Sequence, residues 1–282
     1  MSSQSFVSKI GLKFGNFLIR HAGTVDGGEN RIYVLSFPKC GRTWMRSLLN
    51  HYFYILYPLS VTREINSYMD RIPIIRYIHL GKTLQSSEIS SRIKFMKNQK
   101  VILIFRDPRD VFVSYFFHIT KAGHHPLGTE INWNDVDIGK VLRHEVYGIR
   151  QIVNYMNTVY EDLHLGGRTY ITCYEKFKLD TKSELANILK FLGDGVISQR
   201  AMDKSIEYNS FDKMQSREVE GIANEFQIST RVRKTSGEES LKMRKGKVGG
   251  YIKNLNGDDL EYANKIFESL NPDLRNLIRY NN

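Results

Sequence analysis

Cysteine is nearly absent: Cys40 and Cys173 are the only two in 282 residues. Two thiols cannot staple a chain of this size, and they have no metal-ligand spacing. That excludes a disulfide scaffold and a cysteine zinc site, and it points to a reducing, cytoplasmic compartment. The histidines lack the helical His-x₃-His pairing of zinc enzymes, so no metal is expected. Long apolar runs are missing as well. The purest, Val101-Ile-Leu-Ile-Phe105, is far below the roughly 20 residues of a spanning helix. No secretory h-region stands in residues 5–20, where Lys9, Lys13 and Arg20 alternate with Phe6, Val7, Ile10, Phe14, Phe17 and Leu18 around Gly11 and Gly15. Residues 1–30 therefore read as an N-terminal arm, either packed on its own domain or in peripheral contact with a membrane surface. Residues 31–282 read as one domain, a length that α/β folds often use for a single core.

A basic tail is absent too, although 41 Lys and Arg outweigh 30 Asp and Glu to give a net charge of +11. The excess is spread along the chain and comes with no nucleic-acid recognition module, so nucleic acid is not the expected partner. Such a balance still favours anionic ligands. What the chain does contain is an apolar strand, Ile32-Tyr-Val-Leu-Ser36, running into Ser36-Phe-Pro-Lys-Cys-Gly-Arg-Thr-Trp44 and then into a helix patterned by Trp44, Leu48, Leu49, Tyr52, Phe53 and Leu56 and stopped at Pro58. A strand-loop-helix of this kind aims backbone N–H groups, a helix dipole and one lysine, Lys39, at a single point, where anions collect. A strict Walker loop is not there, because Lys39 precedes Gly41 instead of following it. Cys40 reads as a small inert spacer.

A second strand, Val101–Phe105, leads into Arg106-Asp-Pro-Arg-Asp-Val-Phe-Val-Ser114. Asp107 suits the N-cap of the next helix, Pro108 its first position and Asp110 its third. Arg106 at the strand end and Ser114 two turns on then face one crevice outside the carboxyl ends of the strands. Residues 59–98 read as short helices and loops, and 118–140, with His118, His124 and His125, as a loop-like insertion that no helical or alternating period fits. Leu142 to Leu163 read as one long amphipathic helix, and Arg168–Tyr174 as a third strand. Thr181-Lys-Ser-Glu184 reads as a capping box on a helix ended by Gly193. From Arg217 to Lys247 the charged chain reads as a solvated loop, compatible with a lid. Strands alternate with helices throughout, which argues for parallel βαβ units.

Taken together, these segments resemble the signatures of the soluble sulfotransferases, which use 3′-phosphoadenosine 5′-phosphosulfate (PAPS). The first loop, Ser36–Trp44, is similar to the family's sulfonate-donor loop, and Arg106–Ser114 to its 3′-phosphate motif. Tyr174-Glu175 resembles the start of its Tyr-Glu-Asp signature and Asn209-Ser-Phe211 its Thr-Ser-Phe segment. Met243-Arg-Lys-Gly246 resembles its Arg-Lys-Gly signature, with Gly250-Tyr251 where Asp-Trp is usual. His79-Leu80 is similar to its Lys-x-His-Leu-Pro segment, with Tyr77 in place of the lysine and Gly81 in place of the proline.

The resemblance implies an α/β single domain with a central parallel β-sheet flanked by helices and a P-loop-like phosphosulfate site. It implies sulfonate transfer from PAPS to a hydroxyl or amine of a small-molecule or glycan acceptor, with His79 as general base and Lys39 and Ser114 assisting. Donor contacts carried over are Lys39, Cys40, Gly41, Arg42, Thr43 and Trp44 at the first loop. At the 3′-phosphate they are Arg106, Ser114, Arg244, Lys245 and Gly246, with Trp44, Tyr174 and Phe211 around the adenine. From the residues alone, Trp44 reads as a core position and His79 as an ordinary hydrogen-bonded histidine; it is the resemblance that gives them their roles. A phosphotransferase with a variant phosphate loop and a non-catalytic anion- or nucleic-acid-binding module are the other readings. The first should place an acidic Mg²⁺ ligand at a strand end, where this chain has basic residues. The family's usual dimerisation stretch has no counterpart, and the oligomeric state stays open.

Overall fold

The computed structural model describes residues 31–57, 73–78, 80, 83–121, 130–166, 168–193, 195–220 and 246–279. Four parallel strands form the sheet: β1 (Arg31–Leu35), β2 (Ile74–Ile78), β3 (Lys100–Phe105) and β4 (Thr169–Cys173), in the order β2-β1-β3-β4. Val101 to Phe105 are all but fully buried, and a side chain so placed contributes about 1.5–3 kcal/mol over leaving it in water. Helices connect the strands, as parallel pairing requires. They are α1 (Arg42–Leu56), α2 (Ser86–Ile93), α3 (Pro108–Thr120), α4 (Ile138–Arg143), α5 (Ile149–Leu163), α6 (Tyr174–Leu179), α7 (Thr181–Leu192), α8 (Gln199–Tyr208), α9 (Phe211–Val219), α10 (Gly257–Phe267) and α11 (Pro272–Arg279).

The order has one consequence for function. Chain progression runs outward from β1 to β2 on one side and from β3 to β4 on the other. The β1–β3 boundary is therefore the switch point, and ligands of open parallel sheets bind there, beyond the carboxyl ends of the strands. Leu35 pairs with Ile78 on one side and Leu103 on the other, and Phe105 pairs with Cys173. The segments opening at Ser36, Arg106 and Tyr174 thus leave the same edge of the sheet.

Four features depart from what the sequence pattern predicts. A strand, β2, lies within residues 59–98, where only short helices and loops were expected; Arg76 interrupts its apolar run, and its edge position leaves residues 75–78 only half-buried. The helix expected from Leu142 to Leu163 is two helices. His144 Nδ1 accepts from the Val146 and Tyr147 amides, and a Cβ on Gly148 would stand 2.3 Å from the His144 carbonyl oxygen. That crowding turns the chain where the apolar period alone continues it. The insertion expected at 118–140 is in part regular, since His118 lies in the last turn of α3 and Ile138–Lys140 open α4.

The capping box at Thr181 is replaced by Asp180, whose carboxylate accepts from Ser183 N–H and Oγ–H. Glu184 is instead buried against Lys176 and the Tyr170 hydroxyl. Gly193 does close α7, in the left-handed region at φ 100°. Asp107 and Pro108 open α3 as read, with Asp107 accepting from the Arg109 amide at 2.9 Å. The arm at 1–30 and residues 221–245 of the charged loop lie outside the described residues, as do His124 and His125. Among the described residues, no helix is long and apolar enough to cross a membrane.

Candidate functional site

The loop after β1 turns on two left-handed residues, Lys39 at φ 74° and Gly41 at φ 91°. Lys39 has a Cβ, so its conformation costs energy and persists only because the surroundings impose it. Gly41 is the N-cap of α1, which has no side-chain cap and no acidic residue in its first turn. The opening amides and the positive end of the dipole are thus left for a ligand. Cys40 is fully buried, and burial pushes its thiol far up, so its side chain faces the core while its backbone belongs to the loop. Thr43 is exposed at the start of α1 and Ser114 is half-buried on α3.

Arg106 ties the site together. Its guanidinium donates to the Lys39 carbonyl at 3.2 Å and to the Lys247 carbonyl, 141 residues further along the chain, at 3.0 Å. The same group lies 4.2 Å from the centre of the Tyr174 ring and 3.5 Å from Asp110. Its Nε is buried without an acceptor among the described residues. Asp110 in turn accepts from the amides of Gly249 and Tyr251, both at 2.9 Å, which holds the loop after Gly246 beside α3. Below them Glu175 is fully buried, accepts from the Asp107 amide at 3.0 Å, and is raised by burial to about 7.

An aromatic cluster flanks this centre. Tyr174 donates to the Gly246 carbonyl at 3.0 Å and covers Gly41 so closely that a Cβ there would lie 2.7 Å from the ring. Trp44 donates to the Asn209 carbonyl at 2.9 Å and meets Tyr174 edge-on, with centres 6.0 Å apart. Phe211 packs under Gly246, where a Cβ would stand 2.2 Å from the ring. Lys178 places its ammonium 5.8 Å from the Trp44 ring centre and 5.6 Å from that of Phe211.

The sequence reading missed Lys178, Lys247 and the structural part of Asp110. Only the helical spacing of Lys178, four residues after Tyr174, was legible. Lys39, Gly41, Trp44, Arg106, Tyr174, Phe211 and Gly246 do converge. Arg42 departs from them: its guanidinium donates to the Ile78 carbonyl, and burial, with repulsion from Arg46, lowers it to about 10. His79, Arg244 and Lys245 lie outside the described residues.

Comparison with known proteins decides what this arrangement belongs to. The sulfotransferase domain matches residues 29–277, nearly the whole chain. The chain belongs to the sulfotransferase family. Sulfotransferase 2A2 of Mus musculus is 25% identical over 268 residues, 85% of this chain and 84% of that protein. Sulfotransferase 2A1 of Rattus norvegicus is 27% identical over 187 residues, 63% of this chain and 58% of its own length. Among solved folds, mouse sulfotransferase SULT7A1 complexed with PAP covers 93% of both chains at 21% identity with a TM-score of 0.60. Retinol dehydratase in a complex with retinol and PAP covers 89% of this chain and 84% of its own at 16% identity, with a TM-score of 0.58. Within the sulfotransferase family, then, the fold of this chain is the shared α/β architecture with a central parallel sheet.

Proposed function

We propose that this protein transfers a sulfonate group from PAPS to a hydroxyl or amine of an acceptor by in-line displacement, with His79 as the base. The observation that carries this reading is the position of Arg106, bridging the carbonyls of Lys39 and Lys247. Two basic loops are thereby held on one crevice, which supports a nucleotide with anions at both its 5′ and 3′ ends. In this reading Lys39, the amides after Gly41 and the dipole of α1 receive the charge that develops on the departing phosphate. Arg106, Ser114, Arg244, Lys245 and Gly246 hold the 3′-phosphate, a guanidinium being suited to its planar pairs of oxygens. Trp44, Tyr174 and Phe211 hold the adenine, and Ser114 steers Lys39.

The relatives crystallised with PAP, adenosine 3′,5′-bisphosphate, support that choice of nucleotide. Calorimetry and thermal unfolding test it. PAP should raise Tm, since a ligand binding only the native state stabilises by mass action, whereas ATP with Mg²⁺ should raise it weakly or not at all. Equal stabilisation by ATP would favour a phosphotransferase. Tight PAP binding with no transfer to any acceptor would favour a binding module. His79→Ala should lower kcat by about 10²–10⁴ while PAP affinity holds, because a base acts on the acceptor. Near-normal turnover would move the role to another histidine.

A further inference from the structure

On α1, facing β2, stands a group of side chains that take no part in the donor contacts proposed above. Arg46, one turn beyond Arg42, holds its guanidinium 5.5 Å from the centre of the Tyr77 ring on β2. Its Nε is buried with no hydrogen-bond acceptor among the described residues, and the Tyr77 hydroxyl is likewise buried with no partner there. Buried polar atoms are nearly always paired, so two orphans on side chains that pack together mark a place built for something else. Burial lowers Arg46 and raises Tyr77, and among the described residues no carboxylate acts on either. Arg42 adds a second positive charge beside them, and its bond to the Ile78 carbonyl fixes the end of β2.

Resting on the function proposed above, we propose that Arg46 and the Tyr77 hydroxyl form an oxyanion subsite for the acceptor, which therefore carries a carboxylate or sulfate group. A guanidinium packed over a ring that carries an O–H donor offers such a group two kinds of donor, and an oxyanion reaching both would satisfy both orphans. Tyr77 stands where the family resemblance calls for a lysine, so the subsite is a property of this chain. A neutral acceptor would leave the two groups unpaired, which is the situation in which polar sites discriminate most strongly.

The first test needs no turnover. Inorganic sulfate is titrated into PAP-saturated protein while the Arg46 side-chain Nε–H resonance, assigned by its loss in Arg46→Lys, is followed by NMR. A saturable shift at about millimolar sulfate is expected, weakened several-fold in Tyr77→Phe. No saturable shift, or one indifferent to Tyr77→Phe, overturns the proposal. The second test compares transfer from labelled PAPS to methyl glucuronide and methyl glucoside. The ratio of their kcat/KM values should favour the acid and fall about tenfold or more in Arg46→Gln. Equal losses on both acceptors would make Arg46 a packing residue and overturn the specificity claim. Failure of PAP to bind would instead sink the sulfotransferase reading itself.

Discussion

Arg106 does two things that a lysine could not. Its forked donors reach the Lys39 and Lys247 carbonyls together, and its plane lies over Tyr174. Arg106→Ala should weaken PAP binding by about 1.5–3 kcal/mol, as expected for a lost charged hydrogen bond. Arg106→Lys should weaken it nearly as much, because a point charge cannot bridge both loops. Calorimetry on both variants checks this, and wild-type affinity in Arg106→Lys would show that charge alone matters.

Glu175 offers a second residue-scale prediction. Burial raises it from 4.5 to about 7, against the opposing pull of the Asp107 amide and Arg106. Between those values the unfolded chain releases this proton while the folded chain keeps it, so its contribution to stability is full below 4.5 and is lost as pH rises to about 7. His51 acts oppositely, since burial lowers it to about 4 and its contribution is lost as pH falls. The readout is therefore a difference. Glu175→Gln keeps an acceptor for the Asp107 amide and should gain on wild type steadily from pH 5 to 7.5, by about 1–3 kcal/mol in all. Parallel stability curves for the two proteins would contradict the assignment.

Between residue and molecule, the sequence was legible where one element obeys one period. Val101–Phe105 is a plain apolar run, and Asp107-Pro108 announces α3 with a cap and a first-turn proline. It was illegible where a tertiary contact overrides the period. Arg76 hides β2, and the Leu142–Leu163 pattern runs through a break made by the His144 ring and the backbone around Gly148. Gly148→Ala tests that account, since its methyl would meet the His144 and Leu142 carbonyl oxygens at 2.3 and 2.5 Å. Urea unfolding should show a loss of more than about 2 kcal/mol, and an unchanged midpoint would mean the turn has room that the geometry denies. The Asn209 departure from the family's threonine also has an element-scale reason. Its amide, fully buried, bonds Ser47 on α1 and donates to the Ser205 carbonyl at 2.8 Å, locking α8 onto the helix that carries Trp44.

Across the whole molecule, the convergence of Lys39, Arg106 and Tyr174 on one crevice was readable because the motifs that carry them are contiguous, and each carries its own turn or cap. Contacts that link them were not, since Lys178 over Phe211, Arg106 to Lys247 and Arg46 over Tyr77 bring together residues that no local spacing relates. The charge of the whole chain, +11, makes a further prediction. Basic groups spread over the surface raise the encounter rate of a multiply charged nucleotide, and salt screens that attraction beyond about 8–10 Å. Once bound, the nucleotide in this reading lies against buried groups such as Arg106, which salt screens much less. PAP association, followed in stopped flow by fluorescence from Trp44, should therefore slow about fivefold or more between 20 and 300 mM NaCl, while dissociation changes little. An association rate indifferent to salt would mean that the excess charge plays no part in capture. A dissociation rate that rises as steeply would place the bound phosphates in solvent and contradict the crevice.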